Sequence, residues 1–225
     1  MEDRQEGMAG ASTRRLLVGI SGATGVTYGV RLLEVLQRVA DVETHLIMSP
    51  SARQTLQLEM DWKPREVEAR ADVVYRFSDV AAAPSSGSYR TMGMVVAPCS
   101  MGSVSGIANS ANDNLLVRAA DVTLKERRPL VLLPRETPLH LGHLRLLVRV
   151  AEIGAVVAPP LPAFYQRPQS LEQVVDHTVM RVLDLFDIEP PVPLSRRWGG
   201  RESAAPSDLT EPLFVGDTYE PGDGR

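Results

Sequence analysis

Along this chain two patterns alternate: short apolar runs that end in glycine, proline or serine, and longer stretches whose apolar residues recur every three or four positions. The first run, Leu16 to Ile20, predicts a strand. It breaks into Gly19, Gly22 and Gly25 and passes into Val26, Val30, Leu33 and Leu36, a stripe that predicts a helix from about Val26 to Ala40. Thr44 to Met48 predicts a second strand. Ser49-Pro50-Ser51 then predicts a helix start, since serine caps a first turn and proline suits it, with the helix running through Leu56 toward Glu59. Pro64 predicts another short helix. Val73 to Phe77 and Met94 to Ala97 predict strands separated by the small-residue loop Ala81 to Ser88, and a loop of hydroxyls and glycines, Pro98 to Gly106, follows. The remaining pattern predicts a helix from Asn114 to Glu126, a strand from Leu130 to Leu133, a helix from Leu144 to Ile153, a strand from Ala155 to Ala158 and a long amphipathic helix from Leu171 to Phe186.

Strands alternating with helices predict an α/β fold of three layers, a mostly parallel sheet with helices on both faces. Right-handed crossovers bring the carboxyl ends of the strands to one edge. The chemically unusual stretches 21–25, 49–51, 98–106 and 134–138 all fall there. Residues 1–13 have no period and are expected to form a disordered lead-in, 14–198 a single domain, and 199–225, rich in proline, glycine and charge, a flexible tail.

Composition narrows the function classes. The chain has 225 residues, of which 44% are hydrophobic, enough for one sizeable core. A net charge of −4 provides no basic footprint, so nucleic acid is not an expected partner. Cys99 is the single cysteine, which excludes an intrachain disulfide and a cysteine-rich zinc site and suits a reducing cytoplasm. The first seven residues lack the apolar core of a secretory leader, and no run of about 18 apolar residues predicts a membrane span.

Candidate chemistry begins at the first glycine turn, where helix N–H groups face whatever anion sits at the turn. Gly19, Gly22 and Gly25 do not spell the dinucleotide fingerprint, and Ser49 stands where NAD binding wants an acidic residue. A nucleotide or flavin phosphate and a plain glycine-rich turn both remain open. Arg135 and Glu136 lie between two prolines at a strand end, either a functional pair or a solvated corner. Tyr165, in a proline-bounded loop, either contacts a phosphate or caps the sheet. Lys125 reads as part of a solvated helix end, and Arg181 as ordinary amphipathicity. His140 and His143 lack a third metal ligand nearby, and Cys99 reads as a packed thiol without a base.

Taken together, Gly19 to Gly25, Ser86-Gly87-Ser88, Ala97-Pro98-Cys99-Ser100, Arg118 to Leu130, Arg135-Glu136-Thr137-Pro138 and Pro162 to Ser170 closely resemble the UbiX-type flavin prenyltransferases, from about Arg15 to Trp198. The resemblance implies a Rossmann-like flavoprotein fold, a dodecamer, and transfer of a dimethylallyl group from dimethylallyl phosphate to N5 and C6 of reduced FMN without a metal. The product, prenylated FMN, would serve a UbiD-type decarboxylase. It assigns Gly22, Ala23, Thr24, Ser49, Ser100, Met101, Gly102 and Ser103 to FMN. Arg135 is placed between flavin and donor phosphate, and Lys125, Tyr165 and Arg181, helped by Ser88, on the phosphate. Glu59, reaching a neighbouring subunit, and Glu136 are assigned to proton handling, and Thr24 to the flavin edge near N5. Arg118 matches an arginine near the site. Such cations and a phenol suit the charge that develops on a departing phosphate. Thr24, Pro50 and Val80 depart from residues common in the family. Two other readings share the fold: a flavin-dependent cysteine decarboxylase, whose helix histidine and asparagine-rich clamp are missing here, and a flavin-carrying decarboxylase subunit, which would not need a second phosphate pocket.

Overall fold

Side chains alternate across the first strand, β1 (Arg14–Ile20), so that Leu16, Val18 and Ile20 enter one apolar cluster and Leu17 enters another. Burial on both faces is what a central parallel strand requires. The computed structural model describes residues 14–197. In it β2 (Val42–Met48), β3 (Val73–Tyr75), β4 (Gly93–Cys99), β5 (Leu130–Pro134) and β6 (Val156–Val157) join β1 in one sheet of order β3-β2-β1-β4-β5-β6. Every pairing is parallel. The order runs outward in both directions from β1 and β4, so the crossovers diverge between those two strands. The expected lead-in 1–13 and tail 199–225, with Trp198, lie outside the described residues.

The helices are α1 (Val26–Leu36), α2 (Pro50–Glu59), α3 (Pro64–Glu68), α4 (Met101–Ala108), α5 (Leu115–Lys125), α6 (Leu141–Glu152) and α7 (Leu171–Asp184). Val30, Leu33, Leu56, Val67, Val179 and Leu183 from α1, α2, α3 and α7 pack on the first face. Val104, Ile107, Leu116, Ala120 and Val150 from α4, α5 and α6 pack on the second. The expected three-layer architecture is therefore present. Each fully buried leucine or valine contributes roughly 1.5–3 kcal/mol by leaving water. That outweighs a half-exposed ion pair such as Arg31 to Asp176, at 2.6 Å between α1 and α7, which serves more to fix their register.

Boundaries differ from the sequence pattern where backbone hydrogen bonds change type. The first helix stops at Leu36 because Arg38 and Val39 donate to Val35 and Leu36, tightening the chain into a turn that delivers Val42 to β2. Only Val156 and Val157 pair in the last strand, and Pro159 and Pro160 supply no further donors. The stretch after β4, expected to be a loop, is helix α4. Ser100 caps it by accepting from Ser103 N at 3.2 Å, and Val104, Ile107 and Ala108 turn inward at helical spacing. The many small hydroxyls mask that short stripe in the sequence.

Two features of the core carry expected outcomes. A Cβ at Gly29 would collide with the Ala97 carbonyl oxygen and press on Ile20, because α1 crosses β4 at backbone contact. Gly29→Ala is expected to cost about 1–3 kcal/mol in urea unfolding, against the gain expected in an open helix. Cys99 is wholly buried, and burial alone pushes its thiol up to about 12. A raised pKa means that the folded state keeps its proton longer than the unfolded chain does. Stability is unaffected below about pH 8.5 and falls by roughly 1.4 kcal/mol per pH unit from there toward the folded pKa. Urea midpoints at pH 8 and pH 10.5 should diverge more for the wild type than for Cys99→Ala.

Candidate functional site

The carboxyl ends of β1 and β4 meet where the strand order diverges, and buried Ser21 joins them. Its N–H and its hydroxyl both donate to the Pro98 carbonyl, at 3.1 Å each, while the hydroxyl accepts from Ser100 N at 2.7 Å. The turns after the two strands, each opening a helix, are thus held as one unit. Gly25, with φ of 94°, ends the first turn in the left-handed region and leads into α1 without a side-chain cap. The cap comes from elsewhere in the chain. The Glu59 carboxylate, at the end of α2, accepts from Gly25 N at 2.9 Å and Val26 N at 3.1 Å. A negative charge at the positive end of α1 is the favourable arrangement, and those donors, which the sequence assigned to an incoming anion, are taken by Glu59 within its own chain.

The helices α2 and α4 open onto the same edge. Ser49, buried, accepts from Ala52 N at 3.0 Å, and its hydroxyl lies 3.0 Å from that of Ser51. Ser100 repeats the arrangement, its hydroxyl 3.1 Å from that of Ser103. Gly22 sits against Ser51 so closely that any Cβ would overlap its side chain. Two helix N-termini, each with a pair of hydroxyls and a glycine-bounded approach, match the donor chemistry that a phosphate monoester needs. Met101 is buried in the second core, Gly102 is exposed at the start of α4, and Ala23 is buried.

Beside this edge lies a cavity of about 940 Å³ lined by Thr24, Tyr28, Glu59, Trp62, Arg135 and Val174 among others. Arg135 is set in place by its backbone N–H, which donates to the Cys99 carbonyl at 3.2 Å. Burial raises the Tyr28 phenol above its ordinary pKa, and the nearby Arg135 charge pulls the other way. Glu136 is exposed and folds back to accept from Thr137 N at 2.9 Å. Tyr28 and Trp62 were not singled out in the sequence. Tyr28 lies on α1 and Trp62 in the link between α2 and α3, so no shared motif or period ties them to the other site residues in the sequence.

The other predicted phosphate ligands do not join this group. Lys125 ends α5, just before the amino end of β5, and Ser88 precedes the amino end of β4, so both lie at the opposite edge. Gly93 and Cys99 bound β4, which at about 3.3 Å per residue separates the edges by about 20 Å. Lys125 there pairs with Glu126 at 2.5 Å. Its charge, through that contact, lowers the Glu126 pKa. Arg181 lies in the last turn of α7 and pairs with Asp184 at 2.5 Å. The start of α7 lines the cavity and the Phe186 ring beyond its end reaches Gly93, so Arg181 sits toward the amino edge. Tyr165 lies in a short 3-10 turn, its hydroxyl 3.4 Å from His177 Nε2 on α7. Arg118 is held by Asp121 at 3.1 Å and by the Ser85 carbonyl at 3.1 Å, and does not line the cavity. The sequence-predicted site therefore divides into a carboxyl-edge group (Gly22, Thr24, Ser49, Glu59, Ser100, Ser103, Arg135 and Glu136) and a group toward the amino edge (Ser88, Lys125 and Arg181), because a helix between parallel strands carries the chain back across the sheet.

Known proteins resemble this chain over most of its length. The family described as Flavoprotein matches residues 6–183. The flavin prenyltransferase UbiX of Escherichia coli is 63% identical over 187 residues, covering 83% of this chain and 99% of that protein. A solved UbiX structure in complex with FMN and dimethylallyl pyrophosphate superposes with a TM-score of 0.80 at 48% identity, over 83% of this chain and 98% of that one. A dodecameric FMN-dependent UbiX-like decarboxylase from Escherichia coli gives the same TM-score of 0.80 and identity of 48%, over 83% of this chain and 100% of that one. Among the described residues no helix is long and apolar enough to cross a membrane, and no three side chains are grouped to hold a metal ion. On sequence and fold alike, this chain belongs to the flavoprotein family and, within it, to the flavin prenyltransferases of the UbiX type.

Proposed function

We propose that this chain transfers a dimethylallyl group from dimethylallyl phosphate to reduced FMN, yielding prenylated FMN for a UbiD-type decarboxylase, and that it works in the cytoplasm as a homo-oligomer, a dodecamer. The observation that carries this reading is the convergence of the Ser49–Ser51 and Ser100–Ser103 hydroxyl pairs on the β1/β4 divergence, beside a cavity bearing Arg135. The chain would hold the FMN phosphate through these hydroxyls and the adjoining helix N–H groups, with Gly22, Ala23 and Thr24 forming the wall at the flavin edge. Reduced flavin supplies the nucleophilic N5 and C6.

The protein's part is charge placement and water exclusion. As the allylic C–O bond breaks, negative charge grows on the donor phosphate. Arg135, Lys125 and Arg181 with the Tyr165 hydroxyl are suited to receive it, which favours departure of phosphate without a metal. Tyr28, Trp62 and Val174 line the cavity with apolar surface suited to the dimethylallyl chain. Glu136, an exposed carboxylate beside Arg135, is placed to take up a proton at Oε1 or Oε2. Glu59 holds the glycine turn in shape through Gly25 N and Val26 N.

About 20 Å separates the two groups of predicted ligands within one chain, so a complete site needs the carboxyl edge of one copy and the amino edge of another. That geometry is why the enzyme is an oligomer in this reading.

Three measurements test it. Anaerobic incubation of the protein with reduced FMN and dimethylallyl phosphate, followed by mass analysis of the extracted flavin, is expected to show one added dimethylallyl unit; an unchanged flavin would refute the activity. Arg135→Ala and Lys125→Ala are each expected to lower kcat/KM by about 100-fold, the scale of one lost charge-assisted contact at a developing phosphate. Co-expressed in one cell, the two variants should regain a measurable part of the activity, since some interfaces then pair an intact carboxyl edge with an intact amino edge. Mixed oligomers no more active than either parent would show that the site does not span two copies.

A further inference from the structure

Between Ser85 and Tyr89 the chain makes a turn that displays Ser88. Tyr89 N donates to the Ser86 carbonyl at 3.1 Å, and the hydroxyls of Ser86 and Ser88 lie 2.8 Å apart. The backbone of this turn is gripped from the end of α5. Arg128 Nη2 donates to the Gly87 carbonyl at 2.8 Å and Nη1 to the Tyr89 carbonyl at 2.9 Å, so one planar guanidinium spans the residue between them, Ser88. Only 17% of the Arg128 side chain is exposed, and its nearest carboxylate, Glu126, stands off at 4.0 Å. A guanidinium would ordinarily find a carboxylate partner; here its fixed fork is directed at two neutral carbonyls. Arg127, in the left-handed region with φ of 56°, turns the chain after α5 so that Arg128 points back at the turn.

The same turn is seated on the Lys125 pair. A Cβ at Gly87 would fall on the Glu126 carboxylate, whose Oε1 accepts from Lys125 Nζ at 2.5 Å. On the far side, the Arg15 guanidinium lies over the Tyr89 ring at 5.0 Å. Ser88 and Lys125 are therefore two ends of one clamped unit.

We infer that Arg128 is a positioning residue for the donor phosphate: by fixing the two carbonyls that flank Ser88 and seating Gly87 on Glu126, it sets the Ser88 hydroxyl and the Lys125 ammonium at one spacing. The inference rests on the reading that Ser88 and Lys125 receive that phosphate. Lysine at position 128 keeps the charge and loses the fork, so it separates geometry from electrostatics.

Steady-state kinetics of the FMN-loaded oligomer test it. Arg128→Lys is expected to raise KM for dimethylallyl phosphate about 10-fold, with kcat within about threefold of wild type and FMN affinity unchanged, the loss expected for one misplaced charge-assisted contact. Gly87→Ala, which lifts the same turn off Glu126, should give the same split. Because Arg128 acts through Ser88, the double variant Arg128→Lys/Ser88→Ala should be no more than about twofold worse than the poorer single variant. Multiplying effects, or a fall in kcat or FMN affinity without a change in KM, would overturn the inference and leave Arg128 a stability residue. If Ser88→Ala and Lys125→Ala raise KM while Arg128→Lys and Gly87→Ala do not, the inference fails alone. If Ser88→Ala and Lys125→Ala leave KM unchanged, the donor-phosphate reading of this edge fails and the inference falls with it.

Discussion

Everything at the carboxyl edge depends on the hydroxyl of Ser21. It donates to the Pro98 carbonyl and accepts from Ser100 N, so a single buried side chain at the end of β1 binds β4 and the turn after it, at the point where the sheet order diverges. A buried hydrogen-bonding group left unpaired costs about 1–3 kcal/mol, so the tie fixes the turn after β1 relative to the turn after β4. With that distance set, the start of α4 and the glycine turn leading into α1 face one another. The hydroxyls of Ser100 and Ser103 then stand on one wall of the crevice and Gly22 and Thr24 on the other.

A second constraint is charge. Three helices begin near this edge, and their N-terminal N–H groups would favour any anion. Glu59 takes the α1 terminus, while Ser49 and Ser100 cap α2 and α4 with neutral hydroxyls. A neutral cap leaves the helix field available to a bound phosphate, whereas a carboxylate cancels it. The α2 and α4 termini therefore keep their field, and the α1 turn becomes a shaped wall. A glycine-rich turn before a helix suggests an anion site, yet here a residue 34 positions along the chain fills it.

At the amino edge the logic is different. No helix N-terminus is involved; instead arginines and a lysine near the end of α5 organise the turn that carries Ser88. Arg118 and Arg128 donate to carbonyls of that turn, and Lys125 is paired with Glu126. Two groups of residues, organised by separate devices, thus stand at opposite ends of one sheet.

Much of this protein is legible in its sequence. The alternating runs determine the α/β class, nearly every strand, and the cap at Ser49, because these depend on side-chain period and on hydrogen bonds only a few residues apart. The grouping of site residues by motif is legible too, since each motif is contiguous. Helix α4 was hidden by its small hydroxyl residues, whose weak apolar stripe of Val104, Ile107 and Ala108 reads as loop until Ser100 is seen capping it. The tertiary structure alone decided that Glu59 closes the α1 turn, that Ser51 excludes a side chain at Gly22, and that Arg128 reaches back across 41 and 39 residues to Gly87 and Tyr89. Such contacts have no period. They follow from where the parallel sheet carries each chain end, which is why residues that share a family motif set come to lie at its two opposite edges.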